Sequence, residues 1–213
     1  MDIILFGMQG SGKGTQGKIL AERYGLKVFD MGNALRSMIA SGSELGNKIK
    51  DTVESGNLVS DDIILEVVEK FLEGEAKGQN VLFDGIPRTM IQSEKLLALL
   101  SSHERDAFAL DIKISEREAI ERLTKRRMCV NCKEIYPAFY KGDSCSECRG
   151  DLITRSDDSN LDSINQRLHN FAVETKPVIE DFYKRDRLIE VDGEQAIPDV
   201  TEEMIDKAGY LFS

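Results

Sequence analysis

The chain reads as an α/β protein: a parallel β-sheet of about five strands covered by helices on both faces, with two small inserted domains. Three observations predict it. Short apolar runs alternate with longer amphipathic ones, the order that builds parallel sheets through helical crossovers. A polar stretch from Gly32 to Ser55 carries little apolar surface, and a turn-rich stretch from Cys129 to about Asp158 holds all four cysteines and no helical period.

Taken in order, "DIILFG" is a buried strand, and "KGTQGKILAERYG" a helix closed by Gly25 with Ile19 and Leu20 on its apolar face. "GNALRSMIA" and "SELGNKIKDTVES" are two short polar helices punctuated by Gly42 and Gly56, an appendage to the core. "SDDIILEVVEKFLEG" is amphipathic: Ser60 can cap it, Asp61 and Asp62 suit its positive end, and Ile64, Val67, Val68, Phe71 and Leu72 form one stripe. "NVLFDG" is a second strand ending in Asp84, "TMIQSEKLLALLSS" a helix, and "AFALDIKI" a third strand. Ser115 and Glu118 form a capping box for a helix ending near Arg127. After the cysteine-bearing insertion, "LDSINQRLHNFAVETKPVIEDFYKRD" is helix with a kink or break at Pro177, "LIEVDG" a short strand and "PDVTEEMIDKAGYLF" a closing helix.

With 213 residues, 41% hydrophobic and 31% charged, the chain can bury a real core as one domain carrying insertions. Its net charge of −10 repels duplex nucleic acid and anionic membranes, so any anion site must be local. No apolar run approaches a membrane span, and Met1 leads straight into "DIILFG" with no basic segment and leader. We therefore expect a cytoplasmic protein, without nucleic-acid or membrane partners, and a monomer.

The chemistry starts at "FGMQGSGKGT". Gly7, Gly10, Gly12, Lys13, Gly14 and Thr15 follow a strand and open a helix, so glycines let the backbone wrap an anion while the helix N-terminus faces it and Lys13 adds a point charge. The usual phosphate loop places Ser or Thr directly after the lysine to hold Mg²⁺, but here Gly14 intervenes before Thr15. Asp84, ending an apolar run, falls where open parallel sheets bind ligands, and its carboxylate can hold a metal directly or through water; the alternative is a turn-former before Gly85. The basic run "KRRM" either meets a polyanion or complements a helix C-terminus. Cys129-x-x-Cys132, twelve residues, then Cys145-x-x-Cys148 matches two knuckles closing a four-thiolate site with no open coordination position, which points to a structural zinc; free thiols and two disulfides are the alternatives. His103 and His169 have no ligand spacing.

"GMQGSGKGT", "MGNALR", "SGSELG", "NLVSDDI", "FDGIPRT", Gln92, "RLTKRRMC", "ITRSDD", "NQRL" and "VDG" together resemble the adenylate kinases among the nucleoside-monophosphate kinases, in family order from residue 1 to about 195. The resemblance implies one P-loop kinase core over 1–213, with a monophosphate-binding insertion at 30–59 and a lid at 126–163. It implies reversible transfer of the terminal phosphoryl of Mg-ATP to AMP, giving two ADP, with lid closure and a role in adenine nucleotide homeostasis. Carried over by position, Gly10, Ser11, Gly12, Lys13, Gly14 and Thr15 hold ATP phosphates, with Arg126, Ile135, Tyr136 and Gln195 also on the ATP side. Met31, Arg36, Asn57, Leu58, Val59, Gly85, Ile86, Pro87, Arg88, Gln92, Arg155 and Arg167 fall on the AMP side, Gln92 presenting its amide to adenine. Lys13, Asp84, Arg88, Arg126, Arg155 and Arg167 carry the transfer, Mg²⁺ travels with ATP, and Cys129, Cys132, Cys145 and Cys148 hold a structural Zn²⁺ in the lid.

The arginines suit polyanionic substrates, because bidentate donors match phosphate geometry. No dedicated base is needed, since a phosphate monoester with second pKa near 6 is already ionised. The chain departs from the family pattern at Gln9, where Pro is common, and at Met31 (Thr), Asn33 (Asp), Ile86 (Phe) and Ile135 (a hydroxyl residue). The interval between the cysteine pairs is shorter, and Arg155 to Arg167 one residue longer. Two rival readings follow: another monophosphate kinase taking UMP or CMP as acceptor or GTP as donor, and a zinc-ribbon nucleic-acid-binding protein with a nucleotide switch. The second wants a basic ribbon, whereas Lys133, Lys141 and Arg149 are balanced by Glu134, Asp143 and Glu147.

Overall fold

The computed structural model describes residues 1–74 and 76–212. Five parallel strands form the central sheet: β1 (Asp2–Phe6), β2 (Lys27–Asp30), β3 (Val81–Asp84), β4 (Ala107–Lys113) and β8 (Leu188–Asp192), in the order β2-β3-β1-β4-β8. β2 has no counterpart among the strands read from the sequence. It spans four residues at a sheet edge, Val28 is exposed and only Phe29 is buried, so no apolar run announces it.

Side-chain alternation sends successive residues of the inner strands to opposite faces. Ile4, Phe6, Val81, Phe83, Ala107 and Ala109 face one layer, against Ile64, Val68 and Leu72 of α4 (Asp61–Glu73), Leu96 and Leu100 of α5 (Met90–Ser102), and Val178, Ile179 and Phe182 of α8 (Lys176–Lys184). Ile3, Leu5, Leu82, Phe108, Leu110 and Ile112 face the other, against Leu20 and Ala21 of α1 (Lys13–Tyr24) and Val200, Met204 and Ala208 of α9 (Ile197–Ala208). Burial on both faces explains why these strands are continuous apolar runs.

The polar helices α2 (Met31–Ala40) and α3 (Glu44–Glu54) are less detached than their composition suggests. Met31, Leu35 and Ile49 are buried in the first core layer, with Met38, Ile39, Leu45 and Val53 packed beside them. α6 (Glu116–Lys125) ends two residues earlier than the sequence suggests, because Arg127 already belongs to β5 (Arg127–Cys129). β5 pairs antiparallel with β6 (Ile135–Tyr136) and β7 (Leu152–Ile153), a separate small sheet that carries the cysteines. α7 (Leu161–Asn170) runs through a π turn at Phe171–Thr175 into α8, whose second residue is Pro177; the missing proline amide is accommodated by that wider turn rather than by a sharp break.

Two caps differ from expectation. Ser60 precedes α4 but its side chain makes no capping bond; Asp61 instead reaches across to Gln92 and Thr89. Ser115 Oγ accepts from the Glu118 amide, yet the reciprocal half of the box is absent: Glu118 binds Arg122, and the Ser115 amide donates to Glu194. Among the described residues no helix is long and apolar enough to cross a membrane.

Candidate active site

The carboxyl ends of β1, β2, β3 and β4 converge on one place. Register pairs Leu5 with Asp84, Asp30 with Asp84, and Phe6 with Asp111, so three carboxylates line the sheet edge around the loop that leaves β1. That loop needs glycine where it turns. Gly7 has φ +145°, and a Cβ there would come within 2.7 Å of the Ile112 carbonyl and 2.6 Å of Ser11 Oγ. Gly12 takes a left-handed conformation, φ 96°, as the N-cap of α1, and no side chain caps that helix end. Its first-turn amides are therefore available to an anion, reinforced by the helix dipole.

Lys13 Nζ rests on the loop's own carbonyls, donating to Gly7 O at 2.6 Å and Met8 O at 3.1 Å. Burial pulls its pKa below the usual lysine value, opposed mainly by the nearby Asp84. Burial likewise pushes the Asp84 carboxyl above its ordinary range, with Lys13 pulling the other way. Each group is thus an expensive buried charge made tolerable by its partner. Asp111, whose Oδ1 is buried without a partner, is pushed up to about 6, chiefly by burial.

Opposite the loop, Arg88 Nε donates to Gly85 O at 3.0 Å, and Gly85 holds φ +83° where a Cβ would press to 3.3 Å from the Arg88 guanidinium. Arg36 donates to the side-chain oxygen of Asn33, whose own amide N–H goes to Asp30. Asn33 therefore still orients the arginine. Met31, 1% exposed, packs with Leu35, Val59, Ile64 and Ile86 into an apolar wall. Gln92 is buried with its amide engaged: Oε1 accepts from the Arg88 amide at 2.7 Å, and Nε2 donates to Asp61 at 2.8 Å, leaving one N–H and one lone pair uncommitted.

Between the two ends stand three guanidiniums. Arg126 donates to Asp158 at 2.8 Å, Arg155 is bidentate to Asp157 at 3.0 and 2.7 Å, and Arg167 reaches both Asp157, at 2.7 Å, and Asp158. Three cations face two carboxylates, and Arg167 Nε remains a buried donor with no acceptor. Burial, then the neighbouring Arg155, bring Arg126 down to about 10.

The residues carried over for donor and acceptor all border one cleft of about 1210 Å³: the loop from Gly10 to Thr15, Asp84, the Gly85–Arg88 segment, Met31, Arg36, Asn57, Leu58, Val59, Gln92, the three arginines, Ile135, Tyr136 and Gln195. Sequence reasoning gave no role to Asp157 and Asp158, or to Arg122, which borders the cleft and donates to Gly10 O, although all three stand inside quoted motifs, nor to Phe139, which also borders the cleft. Both histidines are exposed.

In the small sheet the four cysteine sulfurs lie within 4.8 Å of one another, with contacts of 3.4 Å for Cys129–Cys148 and Cys132–Cys145. Four thiolates at about 2.3 Å from one zinc stand about 3.8 Å apart, so the cluster fits that ion. The cysteines are free thiols, not disulfides. The Asn131 amide donates to Cys129, and the Cys148 amide and Tyr136 hydroxyl to Cys145, the shell a thiolate site wants.

A sequence profile described as adenylate kinase matches residues 5–187. Curated relatives span nearly the whole chain. An adenylate kinase of Kosmotoga olearia is 38% identical over 96% of this chain and 97% of its own. One of Paramagnetospirillum magneticum is 35% identical over 95% of each, and one of Archaeoglobus fulgidus 33% identical over 96% of each.

Proposed function

The chain belongs to the adenylate kinase family, and we propose that it transfers the terminal phosphoryl group of Mg-ATP to AMP through the cleft described above. It is an ATP:AMP phosphotransferase. The observation that carries the assignment of roles is the arrangement of one cleft: an uncapped helix start with Lys13 at one end, Arg36 and Arg88 at the other, and three arginines between them with one positive charge more than their carboxylates balance.

In this reading the loop amides and Lys13 hold the donor phosphates, Lys13 leaving the carbonyls of Gly7 and Met8 for them. Arg36, steadied by Asn33, and Arg88, steadied by Gly85, hold the acceptor phosphate, while the wall around Met31 meets its base. An oxygen of the acceptor phosphate attacks the terminal phosphorus in line as the bond to the bridging oxygen breaks, and ADP leaves from each side. Arg126, Arg155 and Arg167 meet the charge on the equatorial oxygens, so positioning and electrostatics supply the rate. Mg²⁺ enters as part of the substrate, with Asp84 oriented toward its water shell. Cys129, Cys132, Cys145 and Cys148 would hold zinc, which when bound cross-links a sheet too small for its own core. We place the moving parts at 30–59 and 126–163, closing over the substrates to exclude water, and the enzyme in the cytoplasm as a monomer.

The test is a kinetic panel of AMP, CMP, UMP, GMP and dAMP at fixed Mg-ATP. AMP is expected to give the highest kcat/KM; a higher value for UMP or CMP overturns the acceptor assignment.

A further inference from the structure

The phosphate loop carries a side chain that the roles above leave unused. Gln9 stands where the family commonly has proline, an apolar residue with no donor. Here a primary amide borders the cleft between Gly7 and Gly10, its Oε1 fully buried and without a hydrogen-bond partner. Its Nε2 is not among the buried unpartnered atoms, so the donor end of the amide is the accessible one, and among the described residues no hydrogen bond engages it. An orphaned buried carbonyl is costly, and its presence asks what the rest of the amide is held there to do.

The position says which use. Gln9 follows Met8, whose carbonyl, with that of Gly7, is where the Lys13 ammonium rests at 3.1 and 2.6 Å. The charges acting on that ammonium are those of Asp84, Arg88, Asp111 and Arg126. Gln9 thus sits in the loop whose carbonyls hold the Lys13 ammonium, on the cleft that the donor-side and acceptor-side groups share. A primary amide offers two N–H donors and no charge. It can add a hydrogen bond to an equatorial oxygen without strengthening the ground-state attraction that three arginines and a lysine already provide. Such a contact acts on kcat more than on KM.

We propose that Gln9 is a phosphoryl-contacting residue in this chain: its side-chain amide donates through Nε2 to an oxygen of the transferring group during transfer, and the buried, unpartnered Oε1 is the cost of holding the amide in that place. This rests on the phosphotransfer reading of the cleft. A neutral donor aimed at developing negative charge is the same device as an oxyanion hole, where removing one donor costs about 10²–10³ in kcat; a flexible glutamine at a loop rim belongs at or below the lower end.

Gln9→Ala and Gln9→Glu, measured beside the parent with Mg-ATP and AMP, test it. Gln9→Ala is expected to lower kcat about tenfold or more, with both KM values within about twofold, while the thermal midpoint of the free enzyme rises because the orphaned carbonyl is gone. Gln9→Glu, of the same shape, should lower kcat further, since it sets an anion against the phosphates. A parent that turns over while Gln9→Ala keeps kcat within twofold overturns the proposal and leaves the phosphotransferase reading standing. Equal losses for Ala and Glu with a lowered thermal midpoint overturn it too, marking a loop that has collapsed. A parent inactive on ATP and AMP defeats the phosphotransfer reading and this proposal with it.

Discussion

The two carboxylates that hold the arginines can be tested by removing one charge. Asp158 has no exposed side-chain surface and is shared by Arg126 and Arg167, themselves 15% and 7% exposed. Asp158→Asn keeps the shape and removes the charge. Breaking a buried pair from one side costs about 3–5 kcal/mol, because the abandoned cations stay buried. Here Arg126 loses its carboxylate partner while Arg167 keeps Asp157 alone, and the Arg155 charge that already disfavours the Arg126 cation goes unopposed on that side. For a chain of this length that is a fall of roughly 6–20 °C in thermal midpoint. The same deficit should shrink by half or more when a saturating two-adenosine, five-phosphate analogue spans the cleft, because its oxygens supply the anion the mutant lost. Differential scanning calorimetry of both proteins, with and without the analogue, reads all four values. A deficit below about 1 kcal/mol in the free enzymes, or one of equal size with the analogue bound, would refute the argument that these arginines are held in trust for phosphate.

Three further outcomes follow from the same geometry. Lys13→Met should lower kcat about 10²–10³-fold with an unchanged circular-dichroism spectrum, since it removes a cation from the phosphates and frees only two loop carbonyls. Asp111→Asn should be stabilising in a pH-dependent way. Its folded pKa is raised to about 6 from 3.8, so the fold favours the protonated form, and stability from this group is present in acid and lost as pH rises through that window. The asparagine removes up to about 3 kcal/mol of penalty at pH 7.5 and almost none at pH 4, read from urea midpoints; an equal gain at both would refute the cause. Stripping metal with a strong chelator should lower the thermal midpoint and make residues 129–153 sensitive to protease, while Cys148→Ser should release zinc faster, as a colorimetric chelator reports.

Much of this was legible because buried parallel strands write themselves as apolar runs: "DIILF", "VLF" and "AFALDI" became β1, β3 and β4. The loop was legible because backbone geometry, not partners, demands its glycines. What stayed hidden depends on pairing across long separations. β2 exists because β3 accepts it as an edge, with little hydrophobic signal of its own. Asp158 and Arg126 are 32 residues apart, and a reading that sees "KRRM" as cations and "RSDD" as a turn has no local reason to join them. The amide of Gln92 is steadied by Asp61 and the Arg88 backbone, contacts that only the packing of α4 against α5 brings about and no local pattern announces.

The missing hydroxyl after Lys13 bears on how the metal is handled. A direct ligand at that position would bind Mg²⁺ from the loop, whereas Gly14 presents nothing beyond its backbone, and a Cβ there would meet no atom within 4 Å. Space is therefore not why glycine stands there; a side chain would fit, and its absence leaves the first turn of α1 open to the phosphates. The fixed anion most strongly coupled to Lys13 is then Asp84, a carboxyl disfavoured by burial and supported by a lysine that is itself due to leave for the phosphates. Once Lys13 turns to the substrate, Asp84 needs another cation, and hydrated Mg²⁺ arrives with the nucleotide. Asp84→Asn should accordingly raise the Mg²⁺ concentration for half-maximal turnover or cut activity by about 10–100-fold, the usual cost of losing a partner to a metal's bound ligands. Turnover titrated with Mg²⁺ at fixed ATP reads this directly; an unchanged Mg²⁺ dependence and unchanged kcat would show that the metal is held by the phosphates and water alone.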